Sequence, residues 1–386
     1  MYKVMISVGE ASGDLHGASV AAALKNIQPD IKLLGMGGQA MRSAGVEIVH
    51  DIADLGVIGF VEVIKNLPRL FKLRDSLVEL MAFERPDVLV VIDYPDFNMR
   101  LAEKAKELGI PVVSYISPSA WAWRKGRAKD VAKIVDRLAA IFPFEADVYR
   151  EAGANVTFVG HPLMDIVKPT MPKDEAYKFF DADPKHPVVL LLPGSRKQEI
   201  TNLLPVMLEA GEKIVDKVPN CQFYLPIAST ISREMLQDII GKYKLNVKLT
   251  NERTYDLMTI SDTAIAASGT VTLEAAILNL PCVVIYKLAT LTYLLGKFLV
   301  KIPHFSLPNI VAGRRIIPEL LQGDANPDNI AKEVIPTLID EAEKLRLKND
   351  LVEVRQKLGD IGAVGRVAKV ILEVASAKAG GSNEHI

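Results

Sequence analysis

The sequence predicts an α/β protein with two doubly wound domains, and three observations lead to this fold class. The chain has 386 residues, whereas one domain usually holds about 100–200. Short apolar runs of strand length alternate with segments of helical length or spacing along most of the chain. The runs are continuous, which is typical of parallel strands covered by helices on both faces.

The first series of strands and helices extends to about residue 160. A helix over residues 14–24 is expected after the first strand, and further helical segments separate the later strands. The predicted strands lie in KVMISVGE (residues 3–10), IKLLGMGG (31–38), PDVLVVID (86–93), IPVVSYISP (110–118), RLAAIFPF (137–144) and NVTFVGHP (155–162). The stretch GHPLMDIVKPTMPKDEA then breaks the pattern with three prolines. We therefore predict a first domain over residues 1–165.

A second series follows, with helices predicted over residues 203–215 and 271–278. Its predicted strands lie in PVVLLLPGSR (residues 187–196), CQFYLPIAS (221–229), NVKLT (246–250), DTAIAASGT (262–270) and PCVVIYK (281–287). The second domain is expected over residues 166–354, followed by a helical segment and a flexible, glycine-rich tail at residues 378–386.

Composition limits the function classes. Hydrophobic residues make up 49% and charged residues 24%, which is a globular composition, and a net charge of −1 argues against a dominant nucleic-acid role. Two cysteines, Cys221 and Cys282, suit a reducing compartment. The sequence shows no signal peptide and no uncharged apolar run of about 18 residues. We expect a cytoplasmic protein, either soluble or attached to a membrane surface. The histidines show no metal-ligand spacing, so neither a metal nor another cofactor is expected.

The loop VGEASGD follows the first predicted strand and opens a helix. Gly9 and Gly13 are expected to allow tight turns, and Ser12 to cap the helix. With Asp14, these residues are candidates for binding an anion or a sugar hydroxyl. An ordinary capped turn is the alternative.

The loop IDYPDFN ends another apolar strand in two acids. Asp96 is expected to cap the helix that follows, while Asp93 lies nearer the sheet and is a candidate general base. The stretch YISPSAWAWRKGR ends the next strand, and we take Trp123 and Arg124 as candidates to line a sugar, acyl or phosphate site. Packing in the core, for the tryptophan, and a solvated helix start, for the arginine, are the alternatives.

Two loops of the second domain share one design. In LLPGSRKQEI, the backbone amides of Gly194 and Ser195 and the guanidinium of Arg196 would converge on a diphosphate. In AASGTVTLEAA, the residues Ser268, Gly269 and Thr270 turn from strand into helix. Glu274 lies one helical turn beyond Thr270, where a carboxylate can accept hydrogen bonds from a ribose diol. Together the two loops predict a nucleotide-diphosphate pocket, although a surface arginine and a helix-surface glutamate are the alternatives for each loop alone.

Residues 55–77 combine apolar side chains with Lys65, Arg69, Lys72 and Arg74, and residues 291–305 have a similar character. Such a segment can lie on a membrane surface. The alternative is a helix that buries its apolar stripe in the core.

Taken in order, the segments GEASGD, IDYPDFN, SPSAWAWRKGR, PFE, VGHPLMD, LPGSR, ASGTVTLE and SLPNIVAGR resemble those of the lipid-A-disaccharide synthases over about residues 4–375. The resemblance implies the glycosyltransferase-B fold, in which two Rossmann-like domains face a cleft. The first domain would bind the lipid acceptor and the second the UDP-sugar, and a C-terminal helix over about residues 355–377 would cross back to the first.

The resemblance implies an inverting transfer of 2,3-diacylglucosamine from UDP-2,3-diacylglucosamine to 2,3-diacylglucosamine 1-phosphate (lipid X). Asp93 matches the family's essential aspartate and would be the base, and Arg196 matches the arginine of its PGSR loop. Glu274 falls where this fold holds ribose, and Asn309 of SLPN is expected to line the cleft. The family is peripheral on the inner face of the cytoplasmic membrane, and some members are homodimers. A different UDP-sugar glycosyltransferase acting on a lipid, a UDP-sugar 2-epimerase and a non-enzymatic sensor remain the alternatives.

Overall fold

The computed structural model describes residues 2–55, 60–117, 125–287 and 303–381. The chain divides into two compact units. Unit 1 comprises residues 1–162 and 359–386, and unit 2 comprises residues 163–358. Each unit has its own parallel sheet, so the predicted class of two doubly wound α/β domains is confirmed.

Unit 1 contains a seven-stranded parallel sheet in the order β3-β2-β1-β4-β5-β6-β7. Its strands are β1 Lys3–Ser7, β2 Lys32–Gly37, β3 Glu47–Asp51, β4 Val88–Ile92, β5 Val112–Tyr115, β6 Arg137–Ala140 and β7 Val156–Phe158. Its helices are α1 Ala11–Ile27, α2 Gln39–Ser43, α3 Phe60–Glu84, α4 Pro95–Glu107, α5 Lys125–Ile134 and α6 Pro143–Glu151. The order of pairing reverses between β1 and β4, so the crevice at their carboxyl ends is where this type of sheet binds ligands.

Unit 2 contains a six-stranded parallel sheet in the order β10-β9-β8-β11-β12-β13. Its strands are β8 Val188–Leu192, β9 Gln222–Pro226, β10 Val247–Thr250, β11 Thr263–Ala267, β12 Cys282–Tyr286 and β13 Glu319–Leu321. Its helices are α7 Leu163–Ile166, α8 Lys173–Phe179, α9 Lys197–Lys217, α10 Arg233–Ile240, α11 Thr254–Ile260, α12 Thr270–Ile277, α13 Leu307–Ala312, α14 Pro327–Ile339 and α15 Glu341–Lys357. Here the order reverses between β8 and β11.

The central strands are buried on both faces, as their uninterrupted apolar sequences require. Every residue of β4 (VLVVI) and of β8 (VVLLL) is buried. In unit 1, Leu77 and Met81 of α3 pack with Leu101 of α4 over one face of the sheet. In unit 2, α9 places Leu204 and Leu208 over Val189 and Ile265. The sheets therefore hold the loops at their carboxyl ends on a rigid base.

A last helix, α16 Ala363–Gly381, belongs to unit 1 although the chain reaches it only after completing unit 2. It packs against α1 and against β4, β5 and β6. The guanidinium of Arg366 donates to the Val159 carbonyl at 2.7 Å, and the Lys378 ammonium donates to the Pro86 carbonyl at 3.0 Å. Val367 and Ile371 have no exposed surface, so α16 is part of the core of unit 1.

None of the helices within the described residues is both long and apolar enough to cross a bilayer. The apolar, basic segment over residues 55–77 lies largely in α3, whose side chains are described from Pro68 onward. Leu77 is completely buried, whereas Phe71 is 38% exposed, so this part of the helix has one core face and one solvent face. The second such segment, residues 291–305, lies mostly outside the described residues.

Candidate functional site

In unit 2, the loops after β8 and β11 come together at the point where the strand order reverses. They enclose a cavity of about 420 Å³. The predicted residues Gly194, Ser195, Arg196, Ser268, Gly269, Thr270 and Glu274 all line it. The structure therefore brings together two motifs that are about 70 residues apart in sequence.

The loop after β8 turns sharply into α9. Gly194 has φ +106°, a conformation that favours glycine. α9 begins at Lys197, directly after the loop and six residues earlier than the helix predicted over residues 203–215. The Arg196 side chain is 83% exposed, so little of its guanidinium is committed to packing. A helix N-terminus with an exposed arginine is suited to an anion.

Glu199, which the sequence analysis did not single out, also lines this cavity. Its carboxylate accepts hydrogen bonds from the backbone amides of Ser195 (3.0 Å) and Arg196 (3.2 Å) and from the Arg196 guanidinium (3.2 Å). The only sequence signal is its position in the first turn of α9, where a glutamate commonly bonds back to the capping residue.

The loop after β11 supplies the opposite wall. Gly269 precedes α12, which begins at Thr270, and Glu274 follows one turn later as predicted. Burial raises the pKa of Glu274, because a charged carboxylate is poorly solvated in this cavity. The Ser268 hydroxyl donates to the Phe305 carbonyl at 3.2 Å, so it fixes the neighbouring chain as well as lining the cavity.

Asn309 is expected to line the cleft, but within the described residues it does not lie on an accessible surface. Its side chain has no exposed surface. The Asn309 carboxamide oxygen accepts from the amides of Ile316 (2.8 Å) and Ile317 (3.0 Å), and its nitrogen donates to the Ile317 carbonyl. Asn309 therefore holds α13 to the segment that leads into β13.

In unit 1, the loops after β1 and β4 meet at the corresponding reversal. A Cβ atom on Gly9 would lie 2.2 Å from the Tyr94 ring, so only glycine lets the two loops approach this closely. Asn98, which is completely buried, joins them: its nitrogen donates to the carbonyls of Ser7 and Asp93, and its oxygen accepts from the Ser7 hydroxyl at 2.7 Å.

Asp93 follows β4 directly, as predicted, and is partly exposed. It has φ +51° and the next residue, Tyr94, has φ +49°, so two non-glycine residues in succession adopt the left-handed conformation. Such residues cost about 1–3 kcal/mol each and persist where the surroundings enforce them. The Asn98 bond to the Asp93 carbonyl is one such constraint, and it fixes the backbone from which the carboxylate projects.

Asp96 does not cap α4, contrary to the prediction. The helix begins at Pro95, and its capping residue is Tyr94, so Asp96 already lies in the first turn. Its carboxylate accepts from the Arg127 guanidinium at 2.6 Å, although Asp96 remains 90% exposed. Trp123 and Arg124, also named as candidates, lie outside the described residues.

The loop VGEASGD differs from its prediction in two respects. α1 begins at Ala11 with Glu10 as capping residue, so Ser12 is an exposed helical residue and caps nothing. Neither Gly9 nor Gly13 has a positive φ, and both serve close packing instead of tight turns: a Cβ on Gly13 would lie 3.2 Å from that of Val8.

Asp14 has a structural role, and its ligand contact stays a prediction. The residue is 6% exposed. One carboxylate oxygen accepts from the amides of Gly38 (2.7 Å) and Met41 (3.1 Å), and the other accepts from Ala40 (2.8 Å). Asp14 therefore caps α2, a helix of five residues.

Burial shifts the pKa of several titratable groups of unit 1. Burial lowers the pKa of His16, against the opposing effect of the Asp93 carboxylate, and lowers the pKa of His161 to about 3. Burial also raises the pKa of Glu145 to about 8. No group of three His, Cys, Asp or Glu side chains in the described part of the chain could hold a metal ion.

The family model for lipid-A-disaccharide synthetase matches residues 4–367. The chain belongs to this family. It is 44% identical over 373 residues to the lipid-A-disaccharide synthase of Geobacter sulfurreducens, covering 97% of each chain. It is 45% identical to that of Syntrophus aciditrophicus, covering 96% of this chain and 97% of the relative. Family membership makes the protein a glycosyltransferase of lipid A biosynthesis that uses a UDP-sugar and a lipid acceptor.

Solved structures support the fold. A UDP-GlcNAc 2-epimerase from Neisseria meningitidis aligns with a TM-score of 0.65, at 15% identity over 96% of this chain and all of that chain. The glycotransferase of kitacinnamycin aligns with a TM-score of 0.63, at 16% identity over 97% of this chain and 99% of that chain. The likeness to epimerases is one of fold, whereas the synthases share over 40% of their residues, so the transferase interpretation holds over the epimerase alternative.

Proposed function

We propose that the protein transfers 2,3-diacylglucosamine from UDP-2,3-diacylglucosamine to 2,3-diacylglucosamine 1-phosphate, forming a β-1,6-linked disaccharide 1-phosphate and UDP with inversion. One observation carries the donor half of this proposal. The cavity of about 420 Å³ in unit 2 combines a helix N-terminus, an exposed Arg196 and the half-buried Glu274. These groups match a diphosphate and a ribose diol.

In this proposal the second unit binds the UDP-sugar, and the first binds the lipid acceptor and supplies the base. The acceptor 6-hydroxyl attacks the anomeric carbon from the side opposite UDP, and Asp93 removes its proton. Negative charge develops on the leaving UDP, and the Arg196 guanidinium with the N-termini of α9 and α12 stabilises it. Positioned donors of this kind typically contribute about 2.7–4 kcal/mol each to the transition state.

The test is UDP release from UDP-2,3-diacylglucosamine, with and without the 1-phosphate acceptor, in the presence of EDTA. Acceptor-dependent release together with a new disaccharide is the expected result. Release without acceptor would point to a hydrolase or an epimerase-like activity. Tight UDP binding without any turnover would favour the sensor.

We further propose that the protein acts at the inner face of the cytoplasmic membrane and contacts it through α3. Phe71 is 38% exposed, with the guanidinium groups of Arg74 and Arg100 at 5.2 and 5.8 Å from its ring centroid. An exposed aromatic ring beside cations suits an anionic bilayer surface.

Co-sedimentation with vesicles of anionic phospholipid tests this contact. Phe71→Ser is expected to reduce the bound fraction. Phe83→Ser is the matched control, because Phe83 is also exposed on α3, at 83%. It lies twelve residues after Phe71, so its side chain points about 120° away from that of Phe71 around the helix axis. Equal binding by wild type and Phe71→Ser would refute the contact. The homodimer implied by the resemblance stays a prediction, which sedimentation velocity would test.

A further inference from the structure

The cavity of unit 2 already contains an anion of the protein's own. The Glu199 carboxylate reaches back from the first turn of α9 into the loop after β8. Its Oε2 accepts from the Ser195 and Arg196 amides at 3.0 and 3.2 Å, and its Oε1 accepts from the Arg196 guanidinium at 3.2 Å. The Ser195 amide and the Arg196 guanidinium are two of the donors expected above to bind the diphosphate.

The loop is shaped around this carboxylate. A Cβ atom on Gly194 would lie 2.2 Å from Glu199 Oε2, so the glycine leaves the space that the carboxylate fills. On the other side of the loop, the Thr230 hydroxyl donates to the Ser195 carbonyl at 2.5 Å. The backbone of Ser195 is thus held on both sides, since its amide donates to Glu199 and its carbonyl accepts from Thr230.

A helix cap explains only part of this arrangement. A bond from the Arg196 amide to Glu199 is the reciprocal half of a capping box, and it stabilises the start of α9. The Ser195 amide lies outside the helix, however, and the Arg196 guanidinium is a side chain that is 83% exposed. A cap requires neither group, whereas both are donors that suit a phosphate.

We propose that Glu199 is a specificity-determining residue of the nucleotide pocket. Its carboxylate holds the loop in the shape that binds a diphosphate, and it gives up the Ser195 and Arg196 amides when a nucleoside diphosphate enters. This inference rests on the proposed function. A ligand must bring enough negative charge to replace the carboxylate, so Glu199 weakens the binding of a nucleoside diphosphate and leaves that of an uncharged nucleoside, which does not need these donors, unchanged.

The test is calorimetric binding of UDP and of uridine to wild type and to Glu199→Gln. Glutamine keeps an oxygen that can accept from the loop amides but removes the charge. One unit charge about 4 Å from another changes binding by roughly fivefold in bulk water, and by more in a partly buried site. We expect Glu199→Gln to bind UDP at least about fivefold more tightly, with uridine affinity unchanged.

Asp340→Asn is the matched control. Asp340 caps α15 by accepting from the Ala342 and Glu343 amides at 2.9 and 3.2 Å, and it does not line the cavity. Both substitutions should lower the unfolding midpoint, but only the one at Glu199 should alter UDP binding.

The outcomes separate the two proposals. If wild type binds UDP and Glu199→Gln binds it no more tightly, the inference about Glu199 is overturned while the proposed function stands. Equal tightening of UDP and uridine would also overturn it, because the effect would then not depend on phosphate charge. If neither wild type nor Glu199→Gln binds UDP, the proposed function and the inference fall together.

Discussion

Replacing Asp14 by alanine tests the structural role that the fold gives this residue. The substitution removes the acceptor for the amides of Gly38, Ala40 and Met41 at once. Two of these hydrogen bonds are buried, and a buried donor without a partner costs about 1–3 kcal/mol. α2 has five residues and is too short to persist by itself. We therefore expect Asp14→Ala to destabilise α2 by about 3 kcal/mol, and Asp14→Asn, which keeps one acceptor oxygen, by about 1 kcal/mol.

Amide hydrogen exchange is the appropriate assay, because a chain with two units need not unfold in one step. A loss of 3 kcal/mol corresponds to exchange that is about 100-fold faster in the peptides that contain α2. Asp30→Ala is the matched control: Asp30 is an exposed residue that accepts from the Gln28 side chain at 2.6 Å. Its exchange in α2 should equal that of wild type.

The reasoning would be refuted by α2 protection in Asp14→Ala within about threefold of wild type. A second contrary result is more informative. If Asp14→Asn kept full protection but lost turnover by about 100-fold, the carboxylate would serve the ligand that the sequence analysis assigned to it.

Four further predictions concern the two units. Asp93→Asn should lower turnover by about 10²–10⁴-fold with UDP affinity unchanged, which steady-state rates and calorimetry together would show; near-normal turnover would remove its role as base. Arg196→Ala should lower turnover by about 10²–10³-fold in the UDP-release assay, and an unaltered rate would contradict its place at the leaving group. Asn309→Ala leaves two buried amides without an acceptor and should cost about 2–4 kcal/mol in denaturant unfolding, so loss of activity at full stability would contradict a structural role. Burial raises the pKa of Glu145 to about 8 in the folded chain, so the folded state holds this proton more tightly than the unfolded state does. The stabilisation that this gives is complete below the ordinary pKa of 4.5 and is lost as pH rises from there through 8. The fall in unfolding midpoint between pH 6 and pH 8.5 should therefore be smaller in Glu145→Gln, and an equal fall would contradict the assignment.

Strands and switch-point loops could be predicted from the sequence because burial on both faces leaves a strong signal. The runs around β4 and β8 contain only apolar residues, and the chemistry-bearing loops follow them directly. β3 (Glu47–Asp51) was not predicted, since an edge strand with three partly buried residues and two exposed ones carries no apolar run. β13, with three residues, is too short to give a pattern.

Helix starts were predicted less well because the capping residues are set by tertiary contacts. Ser12 and Asp96 are favourable capping types, yet the helices begin before them. At α4 the left-handed Tyr94 makes the turn and Pro95 takes the first helical position, where its missing amide proton costs nothing.

The candidate site in unit 2 was predicted from motif chemistry, but the partners of each side chain were not. A buried Asn309 and a lining Glu199 have similar sequence surroundings, in that both lie in the first turn of a helix. Only the fold shows that Asn309 is buried and bonded to the amides of Ile316 and Ile317, whereas Glu199 lines the cavity.

The placement of α16 has a consequence for synthesis on the ribosome. Domains generally fold in order as the chain emerges, the N-terminal one first. Here unit 1 begins with the first residues but lacks the helix that covers α1, β4, β5 and β6 until residues 363–381 have been made. Unit 2, which is encoded between the two parts, has all its elements available sooner. The nascent first unit therefore exposes an apolar face until α16 has been made. A chain that stops before Ala363 keeps that face exposed, where chaperones and proteases can bind it.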